Sequence, residues 1–261
     1  MLFLGIDIGS SATKLVVIDE NRDIVGRSVV QLGTGTSGVE NAISNLYATH
    51  DFRPEDIMGS VVTGYGRKQF GSADTEISEI SCHAKGVSHL CPSVRTIIDI
   101  GGQDTKVIRI DSNGKIQDFT MNDKCAAGTG RFISVMSKVL DVDIADMGFI
   151  DKKATEVISI SNTCAVFAES EVISKLSSGC SIPNIVAGIH QSVARRVAGL
   201  AYRNRIEPDI ALTGGVAQNT GMIRALEQEL NDRLIIPCDP QLTGALGAAL
   251  FALDHNRHVR E

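Results

Sequence analysis

Two acidic residues of this chain, Asp7 and Asp99, each end an apolar run and precede a short turn of small residues. The stretches that begin with them, DIGSSATKLVVID at 7–19 and DIGGQDTKVIRID at 99–111, share seven of thirteen positions. A tight glycine turn lets backbone N–H groups approach an anion closely. A carboxylate and a polyphosphate are both negatively charged, so they can lie side by side only with a cation between them. Mg²⁺ prefers oxygen ligands of this kind and commonly binds them through its waters. Either copy alone could be a plain β-hairpin, but the duplication predicts two turns around one nucleotide, with Asp7 and Asp99 holding Mg²⁺.

The residues of both turns are candidates for phosphate contact. They are Ser10, Ser11, Ala12, Thr13 and Lys14 in the first copy, and Gly101, Gly102 and Gln103 in the second. The copies differ where Ser11 and Ala12 are replaced by Gln103 and Asp104. A polar pair beside a γ-phosphate can orient or deprotonate the attacking water. We therefore predict Gln103 or Asp104 as catalytic, with simple turn chemistry as the alternative for each.

A third glycine turn lies in DIALTGGVAQN at 209–219, where an apolar strand meets Gly214 and Gly215 before a helix with Asn219 near its start. A strand, a glycine pair and a helix in this order can hold a nucleoside or phosphate at the helix N-terminus. The motif is weak alone and gains weight from following the two repeated turns.

Two of the six cysteines lie in unusual settings. Cys125 precedes a Gly-Thr-Gly turn and a helical pattern, and Cys164 follows the polar cap signal Ser161-Asn162-Thr163. A thiol near a helix N-terminus tends towards the thiolate, which binds soft metals. Two thiolates fall short of the four that an iron–sulfur cluster requires, but a twofold dimer would supply four. Each cysteine could instead be a small buried residue near a helix cap, and the chain has no CxxC motif.

The other cysteines, Cys82, Cys91, Cys180 and Cys238, lie in no comparable setting. Cys82 is expected to pack inside a helix, and the nearby His83 and His89 lack the i, i+4 spacing with it that a shared metal site needs.

Apolar periodicity outlines the elements that must position these residues. The runs FLGIDIG and TIIDIGG each lead through their turn into a second strand-like run, which predicts two hairpins. A long amphipathic helix is predicted from Ile185, Ile189, Val193, Val197 and Leu200, with His190 as an ordinary residue in it. The pattern after Cys164 predicts a helix whose buried face holds Val166, Phe167, Ile173 and Leu176.

Composition narrows the class of protein. Hydrophobic residues are 43% and charged residues 21% of the chain, as in soluble globular proteins. A net charge of −6 without a basic stripe argues against nucleic acid and membrane surfaces as partners. The start MLFLGIDIG has no basic leader, and the apolar run GALGAALFAL is too short to span a bilayer, so we expect a cytoplasmic protein.

The three glycine turns in this order resemble the actin, sugar-kinase and heat-shock-chaperone ATPase superfamily. The resemblance implies an α/β fold of two ribonuclease H-like lobes with a nucleotide cleft between them. One lobe would comprise 1–93 with the C-terminal helix 244–261, and the other 94–243 with both cluster cysteines. By the same likeness, 212–219 is the adenosine loop, and Gln241 reaches the nucleotide.

A closer resemblance rests on NDKCAAGTGRF, TCAVFAESEVISKL, TGYGR at 63–67 and DIGGQDTK. Together they are similar to the activator components of (R)-2-hydroxyacyl-CoA dehydratases, with ATPase subunits of benzoyl-CoA reductase as relatives. This likeness implies a homodimer that holds one [4Fe–4S] cluster through Cys125 and Cys164 of each subunit. Hydrolysis of Mg-ATP would drive one low-potential electron, received from ferredoxin or flavodoxin, into the dehydratase component.

Two other functions remain open from the residues. A small-molecule kinase of the sugar-kinase type would share the three loops but would not need paired interface cysteines. A non-enzymatic, actin-like module would bind ATP and assemble. A brown colour after anaerobic purification distinguishes the activator from the kinase, and light scattering with ATP would detect polymers.

Overall fold

A computed structural model describes residues 1–161 and 164–260, without the side chains of 258–260. The chain forms two compact units. The first comprises Met1–Val94, Ile110–Gln117 and the segment from Pro237 onward, and the second comprises Arg95–Arg109 and Asp118–Ile236. The sequence-based division into 1–93 with 244–261, and 94–243, stays a prediction of the domain boundaries.

The first unit is a five-stranded sheet with helices on both faces. Its strands are β1 (Leu2–Ile8), β2 (Thr13–Ile18), β3 (Ile24–Val30), β4 (Ile57–Thr63) and β5 (Thr75–Glu76), in the order β3-β2-β1-β4-β5. Its helices are α1 (Gly38–Thr49), α2 (Glu79–Leu90) and α8 (Thr243–Arg260). Successive residues of β1 point to opposite faces of the sheet and pack in two different hydrophobic cores. Phe3 packs in the core that contains α8, and Leu4 packs in the core that contains Leu46 of α1.

The second sheet has the same topology. Its strands are β6 (Thr96–Ile100), β7 (Thr105–Ile110), β8 (Ile116–Asn122), β9 (Ile210–Thr213) and β10 (Leu234–Ile235), in the order β10-β9-β6-β7-β8. In each sheet the first strand pairs antiparallel with the second and parallel with the fourth. The predicted α/β fold of two ribonuclease H-like halves, each opened by one copy of the repeat, is confirmed.

The second unit buries its sheet against helices. They are α3 (Gly130–Val139), α4 (Met147–Ile150), α5 (Ala165–Ser177), α6 (Ile182–Arg203) and α7 (Thr220–Leu230). The predicted apolar face of α6 is buried, which confirms that helix and its orientation. Within residues 1–161 and 164–260, none of the helices is both long and apolar enough to cross a lipid bilayer.

Candidate functional site

The first repeated turn connects β1 to β2 and places a lysine on its aspartate. Asp7 lies opposite Lys14 in the hairpin register, and the Lys14 Nζ is 3.1 Å from the Asp7 Oδ2. The turn is closed by the Gly9 amide, which donates to the Ala12 carbonyl at 3.0 Å. Thr13 is buried in this hairpin, whereas Ser10 is half-buried and Ser11 is exposed at its tip.

The second turn, between β6 and β7, repeats this arrangement. Asp99 lies opposite Lys106, whose Nζ is 3.4 Å from the Asp99 Oδ2 and 2.7 Å from the Asp104 Oδ2. The Gly101 amide donates to the Asp104 carbonyl at 2.9 Å, as its counterpart does in the first turn. Gln103 is exposed at the tip, while Asp104 is fixed by a lysine that is only 1% exposed.

Sequence reasoning missed Lys106, which holds two carboxylates of the second turn, and Thr213, whose Oγ1 donates to the Asp99 Oδ1 at 2.8 Å. A signal for Lys106 was available. In both copies the lysine follows the aspartate by seven positions, and a hairpin with a four-residue turn puts these two positions opposite each other. Thr213 comes from β9, so no local pattern could have found it.

The surroundings of Asp7 fit a bound cation. Asp7 is 2% exposed, and its Oδ1 is buried with no hydrogen-bond partner among the described residues. A buried carboxylate oxygen without a partner is costly, and a cation or its water would satisfy it. Gly64, from the TGYGR motif, has φ +88°, and a Cβ there would lie 2.4 Å from the Asp7 Oδ1. Because position 64 is glycine, no side chain crowds this oxygen, and the residues present fit Mg²⁺.

The third turn follows β9 as predicted, but its helix starts later than the glycine pair. Gly214 has φ +85°, and a Cβ there would lie 2.3 Å from the Ile100 carbonyl, so the turn requires glycine. A short 3-10 helix spans Gly215–Gln218, and α7 then begins at Thr220. The Asn219 Oδ1 caps α7 by accepting from the amides of Gly221 and Met222 at 2.9 and 3.2 Å.

His190 is more than the ordinary helix residue that the sequence predicts. Its Nδ1 lies 2.7 Å from the Asp151 Oδ2, and its Nε2 lies 3.1 Å from the Asn219 Nδ2. Arg224 of α7 pairs with the other oxygen of Asp151. This partly buried network holds the third turn and α7 against α6, although its members are far apart in sequence.

The Cys125 loop, residues 123–129, connects β8 to α3. Cys125 is exposed and lies five residues before Gly130, the first residue of α3, so it is not itself at the helix N-terminus. The Asn122 Nδ2 donates to the Cys125 carbonyl at 3.0 Å, and Thr129 closes a turn through its amide and hydroxyl to the Ala126 carbonyl. Arg196 of α6 packs beneath the loop, with its Cβ 3.5 Å from the position of a Cβ on Gly128.

Cys164 occupies the N-cap position of α5 and is exposed, as a helix-terminal ligand would be. Of its predicted cap signal, Asn162 and Thr163 lie outside the described residues, and the Ser161 amide and hydroxyl donate to the Glu171 carboxylate at 3.1 Å. The predicted buried face of α5 is wrong for three of its four residues. Val166, Phe167 and Ile173 are exposed, Leu176 is partly buried against the core, and the fully buried residues are Ala168 and Val172. Helical spacing identifies the apolar stripe of a helix but does not indicate whether the rest of the same unit packs against that stripe.

The remaining cysteines are poor or isolated ligands. Cys82 is buried in α2, and burial raises the pKa of its thiol to about 12, so it stays protonated near neutrality. The pKa of Cys91 is also raised by burial, and Cys180 is half-buried. Cys238 is exposed but lies in the first unit. The second unit therefore presents two exposed thiols, Cys125 and Cys164, which fit one half of a four-thiolate set.

The other predicted residues have ordinary placements. Gly102 lies beside Gly101 at the half-buried start of the second turn, and Gln241 lies in the segment that precedes α8. His83 is buried, its Nδ1 is 3.0 Å from the Thr243 Oγ1, and its Nε2 is 3.8 Å from the Glu79 Oε1.

The sequence model of the BadF/BadG/BcrA/BcrD ATPase family matches residues 4–252. The chain is 54% identical over 254 residues to the activator of lactoyl-CoA dehydratase from Anaerotignum propionicum, with 97% of this chain and 98% of that one covered. It is 50% identical over 250 residues to the (R)-2-hydroxyglutaryl-CoA dehydratase activating ATPase of Acidaminococcus fermentans, with 95% and 96% covered.

Solved structures agree with these relatives. The activator of the 2-hydroxyisocaproyl-CoA dehydratase from Clostridium difficile with bound ADPNP superimposes with a TM-score of 0.97 at 50% identity, covering 100% of this chain and 97% of that one. A ROK family glucokinase from Streptomyces griseus, at 12% identity and a TM-score of 0.61 over 97% of this chain and 100% of that one, shares the fold alone.

Proposed function

This chain belongs to the BadF/BadG/BcrA/BcrD ATPase family, and on that premise we propose that it is the ATP-dependent reductive activator of a 2-hydroxyacyl-CoA dehydratase. The observation that carries the proposal is 54% identity over nearly the full length of a relative with that role. The kinase alternative has only the fold in its favour, since the sugar kinase is 12% identical.

The nucleotide is ATP, in line with the relative solved with bound ADPNP, and ATP binds here together with Mg²⁺. Asp7, with its partnerless buried oxygen, and Asp99 hold Mg²⁺ through water. The phosphates are bound by Ser10 to Lys14 and by Gly101 to Gln103. Gly214, Gly215 and Gln241 contact the nucleoside.

Hydrolysis requires a residue that orients the attacking water. Gln103 is exposed at the tip of the second turn, and its amide can both donate to and accept from a water. The Asp104 carboxylate can accept a hydrogen bond from the water, and its ion pair with Lys106 fixes it in place. We assign the orientation of the attacking water to Gln103 and Asp104, and Gln103 is the residue that contacts the water.

The cofactor is a [4Fe–4S] cluster held by Cys125 and Cys164 from each of two subunits. When bound, it supplies one electron at low potential. The chain supports this assembly through α5, whose N-cap residue is Cys164. The exposed positions of α5 carry no charge: Val166, Phe167, Ser170, Ile173, Ser174 and Ser177. A second copy that covers this face would bring its own two thiols to the same place.

The partner is the dehydratase component, because the relatives are named as activators of such enzymes. A ferredoxin or flavodoxin donates the electron, and ATP hydrolysis supplies the driving force for its transfer to the dehydratase. An exposed low-potential cluster is oxidised by oxygen, so we place the activity in an anaerobic cytoplasm.

The test is an iron and sulfide assay of the chain purified without oxygen, compared with Cys125→Ser, Cys164→Ser and Cys238→Ser. We expect about four iron atoms per dimer in the parent chain and in the Cys238 variant, since four thiolates hold one such cluster. Each of the other two variants should lose most of its iron. If Cys164→Ser keeps a full cluster, the ligand assignment is wrong, and a colourless parent chain that phosphorylates a sugar would support the kinase.

A further inference from the structure

The second phosphate turn is hydrogen-bonded directly to the Cys125 loop. The Thr105 Oγ1 donates to the Gly128 carbonyl at 2.6 Å. Further along, the amides of Gly130 and Arg131 donate to the carbonyls of Gly101 and Gly102 at 2.9 and 2.8 Å. One bond thus joins a turn that we assign to phosphate with the loop that we assign to the cluster, and two more join the same turn with the first residues of α3, which follow that loop.

The first repeat makes equivalent bonds to a loop without a cysteine. Thr13, the counterpart of Thr105, donates through its Oγ1 to the Leu32 carbonyl at 2.9 Å. The Thr34 amide donates to the Gly9 carbonyl at 2.9 Å, as the Gly130 amide does to Gly101. In both halves the turn therefore holds the loop that leads to the next helix, and in the second half that loop carries a thiol.

The contact at Thr105 is buried and rigid. Thr105 is 1% exposed, and Gly128 is buried at φ +96°, a conformation that glycine adopts without strain. The loop is stiffened by the Asn122 bond to the Cys125 carbonyl and by the turn that Thr129 closes. The loop is bonded to the turn at Gly128 and continues into a helix whose first two residues are bonded to the same turn, so we expect the loop to move with that turn.

We propose that Thr105 is a positioning residue through which the nucleotide state of the second phosphate turn is transmitted to Cys125. The proposal rests on the proposed function, because it assumes a cluster at Cys125. When the phosphates bind the turn at Gly101 and Gly102, the Thr105 hydroxyl carries the displacement to Gly128. The position of Cys125, and with it the exposure of the cluster, then depends on the nucleotide.

The experiment measures the initial rate at which a ferrous chelator removes iron from the anaerobically purified dimer, with and without saturating Mg-ATP. In the parent chain we expect the nucleotide to change this rate roughly fivefold or more, the size of a typical coupling between sites. Thr105→Val removes the hydroxyl at nearly constant volume and should bring the ratio of the two rates to about one. Thr105→Ser keeps the donor and should restore most of the nucleotide effect.

Thr96→Val is the matched control. Thr96 lies on β6 of the same hairpin and is fully buried, and its hydroxyl donates to the Glu207 carbonyl at 2.8 Å and not to the Cys125 loop, so this variant should retain the ratio of the parent chain. The proposal is wrong if Thr105→Val keeps both its iron and the parent ratio, or if the parent chain shows no nucleotide effect. A parent chain without iron would overturn the proposed function itself.

If Thr105→Val does not fold, a measurement on the parent chain still tests the proposal. Hydrogen exchange of the amides of Gly130 and Arg131, followed on a peptide spanning 123–132, should slow when Mg-ADPNP is added. Unchanged exchange there, with protection gained elsewhere, would show that the turn and the loop are not coupled.

Discussion

At the scale of single residues, Arg196 is the charge that we expect to tune the cluster of the proposed function. Its guanidinium carbon lies 5.7 Å from the centre of the Phe132 ring, beneath the Cys125 loop. Burial lowers the pKa of Arg196, and the neighbouring Cys125 acts in the opposite direction. The side chain is thus a half-buried cation close to one of the assigned ligands.

We predict that Arg196→Gln lowers the midpoint potential of the cluster. Reduction adds a negative charge, which a nearby cation stabilises, and a unit charge within about 10 Å at an effective dielectric constant of about 20 shifts such an equilibrium by about tenfold. That corresponds to about 59 mV for one electron. The measurement is a spectroscopic redox titration of variants that retain their iron.

Arg195 provides the control for this prediction. It is the next residue of α6, it is exposed, and it pairs with Glu229 at 3.1 Å. Arg195→Gln also removes one positive charge, but at an exposed position where solvent screens that charge. The midpoint potential of the cluster in this variant should therefore match that of the parent chain. Equal potentials for the two variants would show that Arg196 has no electrostatic role.

At the scale of elements, close packing between β1 and α8 holds the first unit together. A Cβ on Gly5 would lie 1.9 Å from the Ala245 carbonyl oxygen and 2.4 Å from the Ala249 amide nitrogen. The helix backbone cannot give way as a side chain can, so the strand and helix approach each other only because position 5 is glycine.

We predict that Gly5→Ala lowers the free energy of unfolding by about 3 kcal/mol, at the upper end of the cost of overpacking a core. Gly59→Ala on β4 is the matched control, because its nearest contact would be 3.5 Å to the Ala252 carbonyl, an ordinary distance. The control should stay within about 0.5 kcal/mol of the parent chain. Urea unfolding measures both, and equal losses would mean that α8 can shift away from the strand.

The elements were largely predictable from sequence because their signals are local. The two hairpins follow from alternating apolar residues around a glycine turn, and α6 follows from apolar residues every third or fourth position. The contacts between elements were not predictable in this way. The bond from His190 to Asp151, the pairing of Thr213 with Asp99 and the tie between Thr105 and Gly128 join segments that periodicity treats separately.

The α5 helix shows a second limit of sequence reasoning. Helical spacing identifies its apolar stripe and predicts that the stripe is buried in the core, whereas Val166 and Phe167 are exposed. A pattern of apolar residues indicates that one face of a helix is hydrophobic. It does not indicate whether that face packs inside the same unit or against another molecule. The prediction that a dimer completes the cysteine set offers a reason for this exposure.

At the scale of the whole molecule, we predict that Phe167→Asp converts a dimer into monomers. The ring is 65% exposed and lies three residues after Cys164, so a buried charge there would oppose assembly of the proposed interface. The variant should also lose iron, because neither protomer alone supplies four thiolates. Sedimentation velocity and the iron assay measure the two effects.

Phe149→Asp serves as the comparison, since Phe149 is 61% exposed but lies in α4, away from the α5 face in sequence. It should leave the dimer and its iron intact. A Phe167→Asp chain that remains dimeric with full iron would mean that α5 is not the interface.

The return of the chain from Pro237 onward to the first unit sets an order for folding during synthesis. Until α8 leaves the ribosome, β1 and β4 lack the helix that covers one side of their sheet, so Phe3 and Val61 lack their packing partners in α8. The second unit is translated in full before α8 is made. It can therefore fold while the N-terminal strands are still incompletely packed. Domains usually mature in the order in which they are made, and the split first unit reverses that order here.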